Sequence, residues 1–288
     1  MFGLFLRAIA ALDYCRMHTL SGCSGSSMSF EENVGVNPFF NVHVSGRIAL
    51  QMADLDDDGY EDAIFNDDSI LLILRNNGNN TFSYRTNDKT GSQKIFEVNF
   101  LENIEFIETH DYDHDGDVDI FLIHEKAKFV RLVNIGNASF PRFQIDDLIE
   151  SPFPGIPLAS QSTIEFIDLD DDGDSDAVLG GSSGGLQYFE NIGLNNVPVY
   201  SEAIGLLNPF FGVDVGQHSS PSCMDYDNDG DIDCFIGNFE GKILLYENTG
   251  SYVLPVFTER AQSNNPLNGV DVGYFSTLIF WDYDNDGD

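Results

Sequence analysis

The chain is written in short apolar runs, rich in Ile, Val, Leu, Phe and Tyr, separated by polar turns that hold Gly, Asn and Asp. The runs at 70–74, 120–123, 129–133, 177–179 and 186–189 are too short for helices and lack a helical spacing. They carry the β-branched and aromatic residues that suit a pleated, half-buried surface. One stretch displays the arrangement. Residues 222–224 lead into an acidic loop, 234–236 leave it, 242–247 follow a glycine-bounded turn, and 256–260 follow a second turn at Asn248-Thr-Gly250. The pattern predicts four strands, a to d, joined by tight turns.

The arrangement recurs at a fixed step. Acidic segments begin at Asp54, Asp111, Asp168, Asp225 and Asp282, each 57 residues after the one before. Asn77, Asn134, Asn191 and Asn248 keep the step, as do Asn208-Pro209 and Asn265-Pro266. A lone small sheet has to bury its faces against neighbours, so four strands repeated every 57 residues predict the blades of an all-β propeller. A β-sandwich array needs about seven strands per ~100 residues, which the step does not fit. On this reading residues 1–29 are a non-repeat leader and 30–44 end a preceding blade; 45–101, 102–158, 159–215 and 216–272 are complete blades, and 273–288 is a truncated one. The expectation is an incomplete propeller of about 4.5 repeats within a longer protein. Apolar residues 1–12 and the Ser/Gly-rich 21–29 outline a secretory signal with its cleavage zone, against which Arg7 and Asp13 weigh.

Charge narrows the partners. Lys and Arg total 13 against 48 Asp and Glu, a net charge of −35, which opposes general electrostatic binding to nucleic acid or an anionic bilayer. Cations are the expected partners. Hydrophobic residues at 42% suffice for a core, and no apolar run is long enough for a transmembrane helix.

The acidity is concentrated, with 26 of the 48 acidic residues in the five loops. Each complete loop places Asp at positions 1, 3, 5 and 9 and Gly at position 6: Asp54, Asp56, Asp58 and Asp62; Asp111, Asp113, Asp115 and Asp119; Asp168, Asp170, Asp172 and Asp176; Asp225, Asp227, Asp229 and Asp233. Four carboxylates within nine residues repel one another until a counter-charge arrives. A hard divalent cation supplies it, with carboxylates from positions 1, 3 and 5, the carbonyl of position 7 (Tyr60, Asp117, Asp174, Asp231) and Asp at position 9 as ligands. Calcium fits such a flexible oxygen cage better than magnesium, which demands a stricter octahedron. The EF-hand shares the first half of this pattern, but its position 12 is Glu. Here position 12 is Phe65, Leu122, Leu179 or Ile236, in predicted strands. The fifth loop keeps Asp282, Asp284 and Asp286 and lacks position 9 in this sequence, so weak binding is expected there.

The loops, the turns Asn134-Ile-Gly136, Asn191-Ile-Gly193 and Asn248-Thr-Gly250, and the phrase running from Ile236 to Gly250 resemble FG-GAP/VCBS repeats, the blades of integrin α-subunit-type propellers. The resemblance spans about residues 30–288. It implies calcium on one face of a propeller, an extracellular or cell-surface setting, and ligand binding by loops on the opposite face. No Phe-Gly…Gly-Ala-Pro signature is present.

Other chemistry is sparse. The sequence contains no HExxH, P-loop or GxGxxG. The glycine run 180–185 reads as a flexible hairpin loop; His110 lies beside the second acidic loop, and His114, at its position 4, reads as a solvated residue. Cys223 and Cys234 flank the fourth loop on strands a and b, placed either for a disulfide across the hairpin or as two buried thiols. Sequons at Asn79 and Asn137 fall at c–d turns, on the face of the acidic loops. The opposite face, made of b–c turns and d–a connections, is the expected place for a protein or carbohydrate ligand. The functional expectation is a calcium-binding extracellular module for ligand binding or adhesion, without catalysis of its own. The alternative is the propeller portion of a secreted hydrolase or lyase.

Overall fold

The computed structural model describes residues 49–280 apart from 68–69, 79–81, 85–95, 98–103, 125–127, 138–139, 147–151, 154–161, 195–196, 228, 252 and 272. The expected leader, the preceding blade end, the fifth acidic loop and Asn79 lie outside the described residues.

Four antiparallel sheets form the blades. Blade 1 holds β1 (Leu50–Ala53), β2 (Asp62–Asp67), β3 (Ile70–Asn76) and β4 (Phe82–Tyr84), with β5 (Phe96–Glu97) also pairing with β3. Blade 2 holds β6 (Ile104–His110), β7 (Asp119–His124), β8 (Lys128–Asn134) and β9 (Phe143–Ile145). Blade 3 holds β10 (Thr163–Ile167), β11 (Asp176–Gly180), β12 (Gln187–Asn191) and β13 (Tyr200–Ala203). Blade 4 holds β14 (Ser220–Met224), β15 (Asp233–Gly237), β16 (Ile243–Asn248) and β17 (Phe257–Arg260). Each sheet runs in chain order, as up-and-down propeller blades do. The first strands stand side by side, β1 next to β6, β6 next to β10 and β10 next to β14. The propeller architecture predicted by the repeat is thereby present.

The core lies in the seams between blades. Ile64 and Leu71 of blade 1 meet Ile107, Ile120 and Leu132 of blade 2. Phe121 and Phe129 of blade 2 meet Ile164, Leu179 and Phe189 of blade 3. Val178 and Tyr188 of blade 3 meet Cys234 and Ile236 of blade 4. The extended segment 276–280 continues the ring: Leu278 and Phe280 pack on blade 4, whereas Ile279 between them packs on blade 1. That alternation is the period of a strand, so this first segment of the fifth unit fills the space between the last and first blades.

The d–a connections are pinned by a repeated plug. Phe153, Phe210 and Leu267 stand 57 residues apart, each buried in or beside a seam. Asn208 Oδ1 accepts from Phe210 N while its Nδ2 donates to Leu186 O; Asn265 does the same with Leu267 N and Ile243 O. The Asn-Pro landmark is thus a turn that aims an apolar side chain into the core. The glycine run also proves to be an inter-blade joint. A Cβ on Gly180 would sit 2.1 Å from Ser219 O, and Ser219 N donates to Gly181 O, so the next connection lies directly on the hairpin.

Blade 1 departs from the 57-residue step by one residue. Ala63 pairs with Leu74, where Ile120, Ala177 and Cys234 pair with Leu132, Phe189 and Tyr246. The structural counterpart of Asn134, Asn191 and Asn248 is therefore Asn76, not Asn77, since Asn76 N makes the bond to Asp62 that the others make to their own aspartates. Gly78 follows Asn76 as Gly136 follows Asn134.

Candidate metal centres

Each a–b loop is shaped by its own first aspartate. Asp54 Oδ1 accepts from Asp58 N and its Oδ2 from Gly59 N, at 3.2 and 2.8 Å. Asp111, Asp168 and Asp225 make the same two bonds to the amides of positions 5 and 6, at 3.0–3.2 Å. The position-5 carboxylate in turn accepts from the amide of position 7, as Asp172 does from Asp174 at 3.0 Å. The chain turns sharply enough for this because position 6 is left-handed, with φ of 85–94° at Gly59, Gly116, Gly173 and Gly230. Asp57, His114 and Asp171 at position 4 are left-handed too.

The result is four triads. Asp54, Asp56 and Asp58 bring carboxylate oxygens within 4.8 Å of one another, as do Asp111, Asp113 and Asp115; Asp168, Asp170 and Asp172; and Asp225, Asp227 and Asp229. Calcium–oxygen bonds are about 2.4 Å, so one ion can touch all three oxygens of a triad at once. Asp113, Asp170 and Asp227 have raised pKa values, through burial first and neighbouring carboxylates second. The repulsion a cation would relieve is thus present in each of these three loops. Asp170 also keeps a buried oxygen, Oδ1, with no hydrogen bond among the described residues.

Position 9 has a different place. Asp62, Asp119, Asp176 and Asp233 are buried at the start of strand b, outside the triads. One oxygen of each accepts from the backbone amide of Asn76, Asn134, Asn191 or Asn248 at 2.7–2.8 Å. The carboxylate therefore clamps strand b to the end of strand c. Burial raises Asp119 and Asp176 to about 7 and Asp233 to about 6, with the triad carboxylates adding to the rise. Among the described residues, the second oxygens of Asp119 and Asp233 accept no hydrogen bond, although Arg131 Nη1 lies 3.6 Å from that of Asp119. Asp176 Oδ2 instead accepts from Tyr188 Oη at 2.6 Å.

The position-12 residues Phe65, Leu122, Leu179 and Ile236 are all buried in second strands, as no EF-hand would have them. Cys223 and Cys234 face each other in register between β14 and β15 and form a disulfide, with Cα atoms 4.1 Å apart. His110 is stacked on Phe166 and pushed down to about 4 by burial, so it is a seam residue.

Two features were not read from the sequence. On the face opposite the acidic loops, His218, Phe239, Tyr274 and Phe275 cluster, with ring centroids of successive contacts 4.8–5.5 Å apart. His218 and Phe275, 57 residues apart, are both left-handed, with φ of 53° and 57°. On a d–a connection of the same face, Ile204, Leu206, Leu207 and Phe211 are exposed. The second feature is a pair of glutamates in the central channel, Glu108 buried and Glu165 half-buried. The signal for both was their common step in the repeat.

Among the described residues, no helix is long and apolar enough to cross a membrane. No family model and no curated protein matches the chain. Its fold is similar to a lectin of Agrocybe aegerita described for recognition of non-reducing terminal N-acetylglucosamine, at 18% identity and a TM-score of 0.46, covering 76% of this chain and 53% of that one. It is also similar to an endo-arabinase from Bacteroides thetaiotaomicron, at 12% identity and a TM-score of 0.45, over 75% and 80% of the two chains. A Photorhabdus luminescens Tc holotoxin pore follows at 13% identity and 0.30, over 77% and 12%. The chain spans about half the length of the lectin it matches.

Proposed function

We propose that this chain is a calcium-stabilised β-propeller of the FG-GAP/VCBS type, a non-catalytic extracellular module that presents a ligand surface. One observation carries the reading: the same three-carboxylate triad is built in register at four successive blades. A single acidic turn is commonplace, but four with identical amide bonding amount to a repeated cage for a hard cation. Calcium is favoured because every donor is oxygen and the loops are flexible enough for six to eight ligands. Positions 1, 3 and 5 supply the triad, the position-7 carbonyl and the position-9 carboxylate complete it, and charge neutralisation holds each a–b hairpin closed.

The ligand, a protein or a carbohydrate, docks on the opposite face. That face carries the aromatic cluster of His218, Phe239, Tyr274 and Phe275 and also exposed Leu206, Leu207 and Phe211, and aromatic rings suit both ligand classes. The Cys223–Cys234 disulfide supports an oxidising compartment. Equilibrium dialysis of chelator-treated protein against calcium tests the metal assignment. At least four bound equivalents per chain are expected, with magnesium competing poorly, and an absence of bound calcium at millimolar concentration would overturn it.

A further inference from the structure

At one position of the first strand, 57 residues apart, stand Gln51, Glu108, Glu165, Ser222 and Ile279. All five line a cavity of about 200 Å³ bounded by the first strands of the four blades and by segment 275–280. The cavity lies on the ring's axis, and neither Lys nor Arg is among its described lining residues.

The two glutamates are each fixed through one oxygen. Glu108 Oε1 accepts from Gln51 Nε2 of blade 1 at 2.7 Å and from Thr109 N at 3.0 Å. Glu165 Oε1 accepts from Cys223 N of blade 4 at 3.2 Å. Blades 1 and 4 thus hold the carboxylates of blades 2 and 3 from either side. The second oxygen of each accepts no hydrogen bond among the described residues, and Glu108 is only 7% exposed. Ser220, 4% exposed, lines the same cavity, and its Oγ makes no hydrogen bond among the described residues. Burial, together with the neighbouring carboxylate at Glu108, raises the proton affinity of both glutamates.

Glu108 is buried and Glu165 partly buried, and two ionised carboxylates side by side in such a place are destabilising until a proton or a cation neutralises them. We propose that the channel binds one hard metal cation between Glu108 and Glu165, separate from the ions of the acidic loops. The donors are all oxygens, which excludes soft metals. At about 30 Å³ per water, the cavity has room for an ion that keeps part of its hydration shell. Such an ion ties blade 2 to blade 3 at the axis, whereas each loop ion closes a hairpin within its own blade.

Crystals of the whole chain grown with manganese as the probe test this by anomalous scattering. A peak between Glu108 and Glu165 is expected in addition to those in the loops. It should vanish in the E108Q/E165Q variant, which keeps both side-chain shapes, while the loop peaks persist and bound metal falls by one equivalent. If the double variant fails to fold, the E165Q single variant is read for the same peak. Loop peaks with nothing between the glutamates in the unmodified protein would overturn the proposal, and so would a channel peak that survives both substitutions.

Discussion

Arg75 Nε lies 2.9 Å from Asp56 Oδ2, and the same guanidinium reaches Asp58 Oδ2 at 2.8 Å, so the first acidic loop already holds a protein cation against two of its three triad carboxylates. Arg75 stands one residue before Asn76, a place that Val133, Glu190 and Glu247 take in the other blades. This place thus sets the charge beside loops 1, 3 and 4, whereas in blade 2 the strand-c charge comes from Arg131, two residues before Val133. Glu190 adds to the negative field at Asp170, whereas Glu247 is partly neutralised by Arg260. Loop 1 should be the weakest of the four candidate metal sites. Because Arg75 is half exposed and screened, Arg75→Ala is expected to tighten the weakest calorimetric equivalent by about two- to fivefold. An unchanged weakest site would reject this assignment.

Burial of the carboxylates gives the metal-free protein an unusual pH dependence. Asp119 and Asp176 titrate at about 7 and Glu165 at about 8 when folded, far above the values near 4 of an unfolded chain. Between those limits the folded state binds more protons, so stability falls as pH rises and is regained on acidification. His110, lowered to about 4, acts in the opposite sense only below its ordinary value of 6.5. In EDTA the urea midpoint should therefore rise between pH 8 and pH 6.5, and calcium should flatten the rise by holding the carboxylates ionised. A midpoint that falls over this window without metal would contradict the burial of these groups.

Phe210 is 1% exposed, stacked on Phe257 at 4.2 Å and anchored by Asn208 in the seam between blades 3 and 4. Phe210→Ala should cost about 3–5 kcal/mol in denaturant unfolding, since it opens a cavity where the surrounding strands cannot collapse. A loss under about 1 kcal/mol would mean that the connection is not seated as described.

The Cys223–Cys234 bond closes the hairpin that carries the fourth acidic loop, with a sequence separation of 11. A closed loop of this length contributes about 2–3 kcal/mol by restricting the unfolded chain. The C223S/C234S variant should melt at lower temperature and bind calcium more weakly at loop 4 alone. Two free thiols in alkylated, oxidatively folded protein would remove the premise.

The repeat made the blades and triads legible, because the 57-residue step places Asp54, Asp111, Asp168 and Asp225 in equivalent turns, and equivalent turns fold alike. It misplaced blade 1's asparagine, because Asn occupies both 76 and 77 and only the strand register decides between them. Position 9 was read as a ligand alone. Its grip on the Asn amide needs strands b and c to be adjacent, which spacing does not encode. Glu108 and Glu165 were passed over because acidic residues are abundant here, and only the ring of first strands brings these two into one cavity.

Thermal unfolding in millimolar calcium against EDTA at neutral pH tests the central claim most directly. Each loop occupied at about a hundred times its dissociation constant adds about 2.7 kcal/mol by mass action, so several sites together should raise the melting temperature by many degrees. Magnesium at the same concentration should raise it less. Equal midpoints in calcium and EDTA would contradict the reading of the four triads as ion cages.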